Sequence, residues 1–538
     1  MTVSKKTRSE VFSPLLRIIL ALFFTVAIIL PLAFMLVNLG DADLQKIFSG
    51  GKVYKAIINS LSVSLTATVF ALVLAILAAY SVERSNIKFK GFFHTLALLP
   101  MLIPSISHGM GLIILFGDNG TLTRLFGLSK GIYGFWGIVV GSVMYAFPVA
   151  YLMIIDLLKY EDALSYESAR VFGLSPIRRF TAVTLPYLRK PMISVFFATF
   201  TLIVTDYGVP IMIGGMYKTL PVLMYEEVIG KLDFAKGSVF GMILLIPALI
   251  AFLVDLLMKR GKRGSGVTKR IIPEKNRLRD ALAYLFMGFV SLLVFYPIAS
   301  FGALSLTRRY PADLSITLDH VISSFSKGAG DYFVNSLLIA ILTAALGTVV
   351  AFLCAYTTAR EKKRGSGFLH LMSMISLAVP GMVLGISYVV FFSKSFLYGT
   401  FAILILANTV HFFSSPYLML YNSMGGLDEN LEAVGETLGI SRVRIMLTVV
   451  LGQTRATVVE VFSYFFVNSM MTISAVAFLS NIRTSPLSLM IPQFEAQMLL
   501  EASAFVSLMI LFTNLLMKVS AYFVKKILSR RRVIKNAD

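Results

Sequence analysis

Long apolar runs of about 20 residues alternate with short polar segments along most of the chain. A helix of about 20 residues is about 30 Å long, which matches the hydrocarbon thickness of a bilayer. Only helices and closed barrels satisfy their backbone polar groups in lipid, and continuously apolar runs favour helices. The pattern predicts an all-α polytopic membrane protein with about 12 transmembrane helices. The predicted spans are residues 14–39, 57–81, 92–116, 132–158, 191–213, 239–258, 281–306, 333–358, 368–392, 397–421, 456–479 and 503–525.

Composition agrees with this prediction. The 538 residues are 57% hydrophobic and 14% charged, whereas a soluble protein carries about a quarter charged residues. The net charge of +21 could indicate nucleic-acid binding, but the Lys and Arg residues cluster beside the apolar runs, as the positive-inside rule describes. We therefore expect contact with a lipid bilayer and no nucleic acid. The single cysteine, Cys354, excludes an internal disulfide and a Cys-rich metal site.

The basic segments predict the orientation of the chain. They fall on one side of the membrane when the twelve spans are placed, and they include the linker 259–280, with nine Lys or Arg and two acidic residues. Both termini are predicted to be cytoplasmic. Because each half contains six spans, the halves have the same orientation and are related by a pseudo-twofold axis along the membrane normal.

One polar loop occurs twice, after the fourth span of each half. The first copy covers residues 161–186 and the second residues 427–452, with a constant offset of 266 residues. The offset pairs Asp162 with Asp428, Gly173 with Gly439, Ser175 with Ser441, and Arg178 with Arg444. The repeat extends into the spans, where Asn59-Ser60-Leu61 matches Asn335-Ser336-Leu337 and Pro104 matches Pro380. The chain is therefore predicted to be two fused copies of one transmembrane domain.

Each loop predicts a pair of short helices. Asp162 is suited to cap the first helix, Gly173 to end it, and Ser175 to cap a second helix that has Pro176 at its first position. The second helix is expected to finish before Pro186 and the next span. Any cytoplasmic loop can contain a polar hairpin, but two copies at equivalent places favour two docking sites for a soluble partner.

The first copy resembles the EAA loop of the permease subunits of ATP-binding cassette (ABC) importers. The resemblance rests on Glu167, Ala169, Gly173, Ser175 and Pro186, in the pattern E-x-A-x(3)-G followed by S-P-x-R. In that family the loop forms a coupling helix that enters a cleft of the nucleotide-binding subunit. The resemblance extends from about residue 57 to 523 and is typical of type I importers.

The second copy departs from the family pattern. Ala433 and Gly435 stand where Glu and Ala are usual, although Glu432 is adjacent and Gly439 remains. We therefore expect two docking sites that do not bind the partner with equal strength. The expected ATPase-coupling residues are Glu167, Ala169, Gly173, Ser175 and Arg178 in the first copy, and Glu432, Gly439, Ser441 and Arg444 in the second.

The resemblance implies a domain division and a set of partners. The expected domains are an N-terminal segment with the first helix (1–56), a first permease domain (57–258), the linker (259–280), a helix with an external loop (281–332), a second permease domain (333–525) and a basic cytoplasmic tail (526–538). The expected partners are an ABC ATPase, as a homodimer, and an extracytoplasmic substrate-binding protein, in the bacterial inner membrane. The fused form resembles ferric iron, 2-aminoethylphosphonate, thiamine and polyamine permeases, and we expect ferric iron or an organophosphonate as substrate.

The chain is not expected to be an enzyme. The sequence lacks the G-x(4)-G-K-[ST] phosphate-binding loop, so a partner must hydrolyse ATP. Catalytic constellations and metal-ligand spacings are also lacking, and no cofactor is expected. His108 and His411 are interpreted as hydrogen-bonded packing residues.

Candidate pathway residues are few. Asp206 is the only acid in the fifth span, beside Tyr207, and a charged group at membrane depth usually faces a cavity or a partner. The alternative is that Asp206 lies near the outer end and caps a helix. The corresponding stretch of the second half offers Thr472 and Ser474 and no acid, which predicts an asymmetric pathway.

Two other classes of protein remain open. An ion-coupled secondary transporter could also have two six-helix halves, but it typically has ionisable residues in several spans, and here Asp206 is nearly alone. A membrane-embedded enzyme would need clustered catalytic groups, which the sequence lacks.

Overall fold

The computed structural model describes residues 3–258, 271–273, 275–361 and 365–535, with side chains described for 14–40, 42–258, 271–273, 275–361 and 365–529. Most of the predicted linker (259–270 and 274) and the end of the predicted tail lie outside the described residues. At the end of this segment, Asn276 caps the helix of the seventh span by accepting a hydrogen bond from the Arg279 N–H at 3.0 Å.

The described residues contain nine helices long and apolar enough to cross a membrane and three bent pairs, which make twelve spans if each pair counts as one. The predicted polytopic all-α class is confirmed. The first six spans are Pro14–Gly40, Lys52–Glu83, Lys90–Leu102 with Ser105–Leu125, Phe135–Lys159, Pro176–Val204 and Phe234–Met258. The second six are Arg277–Ser305, Ala329–Arg360, Ser366–Ala378 with Gly381–Phe392, Phe401–His411 with Ser414–Gly425, Arg442–Met471 and Leu500–Ser529.

The third and ninth spans are sharply bent, where the sequence predicted continuous helices over 92–116 and 368–392. The third span bends by 102° before Ser105 and the ninth by 106° before Gly381. A proline disfavours helical conformation in the residue before it, and Ile103 and Val379 are extended before Pro104 and Pro380. The matching prolines thus place equivalent breaks in the two halves. The tenth span also bends, by 54°.

The fifth and eleventh spans were predicted wrongly at both ends. The sequence predicted 191–213 and 456–479, whereas the helices cover Pro176–Val204 and Arg442–Met471. Each begins in the polar loop and continues through one π-helical turn, Phe180–Thr184 or Met446–Val450. Pro186 lies just after this turn and does not end the helix. Gly452 replaces it in the second half, so the π turn does not require a proline.

Shorter elements complete the fold. One antiparallel hairpin of β1 (Thr307–Arg309) and β2 (Asp313–Ile316) follows the seventh span, an exception to the all-α prediction. The helices outside the spans are Leu44–Ser49, Ala163–Val171, Gly208–Ile213, Leu220–Lys231, Asp319–Ser326, Leu431–Thr437, Leu487–Leu489 and Met490–Ala496.

The first span of each half packs against the other half. The first span packs on the second half, where the Tyr388 hydroxyl donates to the Ala27 carbonyl at 2.8 Å and the Phe24 and Phe413 rings lie 5.0 Å apart. The seventh span packs on the first half, where the Lys88 N–H donates to the Tyr284 hydroxyl at 2.6 Å. These contacts interlock the halves around a shared centre.

Candidate coupling hairpins and central cavity

The two polar loops form helical hairpins of closely similar geometry. The first hairpin consists of Ala163–Val171 and Pro176–Arg179, and the second of Leu431–Thr437 and Arg442–Ile445. Gly173 and Gly439 have φ of 71° and 70°, the left-handed conformation that glycine adopts without strain at a helix end. The predicted turn at each glycine is therefore present.

The caps differ between the hairpins. Asp162 accepts from the Leu164 N–H at 3.1 Å and Ser175 from the Arg178 N–H at 3.4 Å, as predicted. Ser441 is at the equivalent cap position but makes no side-chain cap hydrogen bond, and Asp428 accepts from the Asn430 N–H at 2.8 Å. The first hairpin is therefore the better capped of the two.

Large apolar side chains are exposed at the tips of both hairpins. Val171 is 86% exposed and Phe172 82% in the first, while Leu438 is 69% and Val434 55% exposed in the second. Exposed apolar groups on a short polar hairpin are a surface suited to a partner's groove. The first hairpin offers the larger apolar surface.

The predicted coupling residues fall into two groups. Most are exposed on the hairpins: Glu167, Gly173, Ser175, Arg178, Gly439, Ser441 and Arg444. Two face inward, namely the buried Ala169 and the half-buried Glu432. Gly435, which stands where the family has Ala, packs closely on the second helix of its hairpin, and a Cβ there would lie 2.0 Å from Ile445 Cδ1.

Two buried arginines at the base of the hairpins were not predicted as functional residues. Arg84 pairs with Glu161 at 2.6 Å and Arg360 pairs with Glu432 at 2.6 Å. Both arginines belong to the short basic segments that follow the second and eighth spans and were used only to predict the orientation of the chain. Their equivalent positions in the repeat were the signal that could have identified them.

All four predicted pathway residues line one cavity between the halves, with a volume of about 90 Å³. The breaks of the third and tenth spans and the ends of the fifth and eleventh spans meet here. The lining residues are Ile103, Pro104, Ser105, Tyr145, Asp206, Tyr207, Gly208, His411, Phe412, Asn468, Met471, Thr472, Ile473 and Ser474. The cavity therefore brings together Asp206 and Tyr207 of the first half with Thr472 and Ser474 of the second.

Asp206 both lines the cavity and caps a helix. Its carboxylate accepts from the Val209 N–H at 2.9 Å and the Gly208 N–H at 3.3 Å, at the start of Gly208–Ile213. The sequence predicted that Asp206 lies within a continuous span. It lies instead in the turn that follows the helix of the fifth span. Thr472 occupies the equivalent place in the second half, and its hydroxyl donates to the Asn468 carbonyl at 2.7 Å.

The two halves pack this junction with reciprocal residues. Gly208 lies against Ser105 in the first half, where an added Cβ would be 2.2 Å from Ser105 Oγ. In the second half Gly381 takes the place of Ser105 and Ser474 that of Gly208, and a Cβ on Gly381 would be 2.4 Å from Ser474 Oγ. Each junction has room for one hydroxymethyl group. Ser105 carries this group in the first half, and Ser474, at the position equivalent to Gly208, carries it in the second.

The histidines differ in their surroundings. His108 bonds the Pro104 carbonyl through Nδ1 at 3.2 Å, while its Nε2 is buried without a hydrogen-bond partner among the described residues. His411 lines the cavity, and its Nδ1 is buried without a hydrogen-bond partner among the described residues, contrary to the prediction. Groups of three or more His, Cys, Asp or Glu side chains that could hold a metal ion are absent from the described part of the chain.

Comparisons with known proteins agree with the duplicated fold. The profile of the binding-protein-dependent transport system inner membrane component matches residues 71–263 and again 347–534. A ferric transport system permease protein of Actinobacillus pleuropneumoniae is 25% identical over 495 residues, covering 87% of this chain and 72% of that protein.

Two further relatives are an Fe(3+)-transport system permease protein and a molybdate/tungstate permease. The first, from Haemophilus influenzae, is 23% identical over 79% of this chain and 80% of its own. The second, from Methanocaldococcus jannaschii, is 32% identical over its whole length and 47% of this chain. The chain belongs to the family of binding-protein-dependent transport system inner membrane components, the ABC importer permeases, and carries the family domain twice.

Proposed function

We propose that this chain forms the translocation pathway of an ATP-driven ferric iron importer and couples it, through its two hairpins, to a separate ATPase. The observation that carries the proposal is that each half offers one hairpin with an exposed apolar tip, while the halves enclose a shared polar cavity. Two hairpins on one chain favour an ATPase homodimer, one copy for each hairpin. The family description supports an extracytoplasmic binding protein as the second partner.

The proposed mechanism converts closure of the ATPase dimer into alternating access. As the dimer closes, the two hairpins approach each other, the halves rotate and the cavity opens outward to receive the solute. Glu167, Gly173 and Gly439 transmit the force in this scheme, and Arg178 and Arg444 assist docking. The proposal places both termini and both hairpins in the cytoplasm of a bacterial cell, as the basic segments favour.

Ferric iron is the substrate that the cavity and the relatives favour. Asp206 is the one residue with a formal charge among the described residues that line the cavity, and Lys and Arg are absent from this lining. Carboxylate and hydroxyl oxygens suit a hard cation, whereas an organophosphonate would meet no cationic partner there. Two relatives that match most of this chain are named as ferric permeases.

An ion-coupled secondary transporter is the alternative, and family membership weighs against it. Binding-protein-dependent systems have a soluble binding protein, which a secondary transporter does not require. The charged pairs Arg84–Glu161 and Arg360–Glu432 lie at the base of the hairpins and not beside the cavity. Asp206 thus remains isolated as a candidate for ion coupling.

The docking proposal is tested by replacing Gly173 and Gly439 together with Leu. A left-handed conformation costs an L-residue about 1–2 kcal/mol, so the two turns should distort and the hairpins lose their shape. We expect the ATPase to co-purify with the wild-type chain and to be lost, with transport, from the double variant. Gly127→Leu is the matched control, since Gly127 also has a positive φ (61°) with open space around its Cβ. Retention of both association and transport by the double variant would refute the docking role.

A further inference from the structure

A buried polar cluster connects the first hairpin to two spans. Arg84, at the end of the second span, donates through Nη2 to Glu161 Oε2 at 2.6 Å and to the Leu158 carbonyl at 2.9 Å. The Thr184 hydroxyl, in the π turn of the fifth span, donates to Glu161 Oε1 at 2.8 Å. The Arg84 and Glu161 side chains are each 2% exposed. We name Arg84, Glu161 and Thr184 the first clamp.

The second hairpin is held by an equivalent cluster. Arg360, at the end of the eighth span, donates through Nε and Nη2 to the two oxygens of Glu432, at 2.9 and 2.6 Å. It also donates to the carbonyls of Met424, Leu427 and Asp428, at 3.3, 3.0 and 2.6 Å. We name Arg360 and Glu432 the second clamp.

The repeat preserves the arginine and changes the carboxylate. Arg84 and Arg360 have the same offset as Asn59 and Asn335, but Glu161 corresponds to Leu427 and Glu432 to Tyr166. The same link between hairpin and span is thus built twice from different acids. A buried ion pair contributes little net stability, because desolvation offsets the attraction between the charges. Stability alone therefore does not account for two such links.

The clamps are separate from the docking surface. The tips of the hairpins carry exposed apolar groups, whereas Arg84 and Glu161 are buried at the base and Arg360 is 4% exposed. Short hydrogen bonds to a planar guanidinium fix both distance and direction. A displaced hairpin must therefore carry the end of the second or eighth span with it.

We propose that Arg84 and Arg360 are positioning residues that transmit hairpin movement to the second and eighth spans and so set the coupling between ATP hydrolysis and transport. The inference rests on the proposed function. It predicts variants that bind the ATPase and hydrolyse ATP but move little solute.

The two clamps should differ in how well they tolerate the loss of their glutamate. Loss of Glu161 leaves Arg84 with one carbonyl partner, and its Nε and Nη1 already have no partner among the described residues. Loss of Glu432 leaves Arg360 with three carbonyl partners. Glu161→Ala is therefore expected to uncouple transport more than Glu432→Ala.

The test uses proteoliposomes that contain the chain, the ATPase that co-purifies with it and the ferric-loaded binding protein. The readout is the amount of ⁵⁵Fe taken up per ATP hydrolysed. For Arg84→Ala we expect normal ATPase content, hydrolysis within about twofold of wild type and a fall in this ratio of tenfold or more. Arg84→Lys should recover part of the ratio, because it retains the charge and one donor direction. Lys159→Ala, which removes a surface pair with Asp156 nearby, should leave the ratio unchanged.

Three results would overturn the inference. They are an unchanged ratio in Arg84→Ala, loss of the ATPase from the variant complex, and equal ratios for Glu161→Ala and Glu432→Ala at the wild-type value. If Arg84→Ala does not accumulate in membranes, the two glutamate variants decide the matter. A wild-type chain without an ATPase or without ATP-driven uptake would instead refute the proposed function.

Discussion

Asp206 illustrates what a single residue can reveal in a sequence and what it cannot. An isolated acid in an apolar run indicated either a cavity or a helix cap. Both are present, because the carboxylate accepts from the Gly208 and Val209 N–H groups while it lines the cavity. The sequence could not show that Asp206 has both roles, since it predicted a continuous helix where the chain turns after Val204. Arg84 was overlooked for a similar reason, because its burial depends on Glu161, 77 residues away.

Replacing Asp206 with Asn tests the carboxylate directly. Asn retains an oxygen that can accept from the Val209 N–H, so the cap of Gly208–Ile213 should remain while the charge is lost. Interactions with a charged group contribute about 1.5–3 kcal/mol, and we expect ⁵⁵Fe uptake to fall about tenfold or more. Uptake is measured at matched ATPase content, with Asp313→Asn on the β-hairpin as control. Wild-type uptake by Asp206→Asn would remove the carboxylate from the pathway.

Helices were predicted well where hydropathy alone defines them. The second, fourth, seventh and eighth spans differ from prediction by a few residues. The fifth and eleventh differ by up to 15 residues, because their first turns carry arginines and extend beyond the apolar run.

The effect of proline on these helices was also not predictable. Pro104 and Pro380 accompany bends above 100°, whereas Pro148 lies inside a helix that qualifies as one unbroken span. Neighbouring helices and waters decide which breaks are tolerated.

The reciprocal junctions provide a test at the level of packed elements. Gly381→Ser should clash with Ser474, and overpacking costs about 1–3 kcal/mol. The double variant Gly381→Ser with Ser474→Gly reproduces the arrangement of Ser105 and Gly208 and should recover most of that loss. A Cβ on Gly381 would also lie 3.0 Å from His411, but this contact is with the end of a side chain that can shift. The stability of each variant is measured by thermal unfolding of the detergent-solubilised chain. A double variant less stable than the single variant would show that the junctions are not equivalent.

The whole molecule is a duplication in which the first span of each half packs against the other half. The sequence predicted the duplication from a repeated loop and from matching residues in the spans, and the family profile matches both copies. It did not predict that the first span packs on the second half, since that contact joins Ala27 to Tyr388 across 361 residues. Long-range packing of this kind leaves no local pattern in a single sequence. This packing and the cavity between the halves allow one chain to supply the whole pathway.

The most direct measurement of the central claim is ⁵⁵Fe uptake into proteoliposomes that contain the chain and its co-purified ATPase, with ferric-loaded binding protein outside and ATP inside. The account predicts uptake that requires ATP, is unaffected by collapse of ion gradients, and is absent when 2-aminoethylphosphonate replaces iron as the labelled solute. Iron uptake driven by an imposed ion gradient without ATP would contradict it.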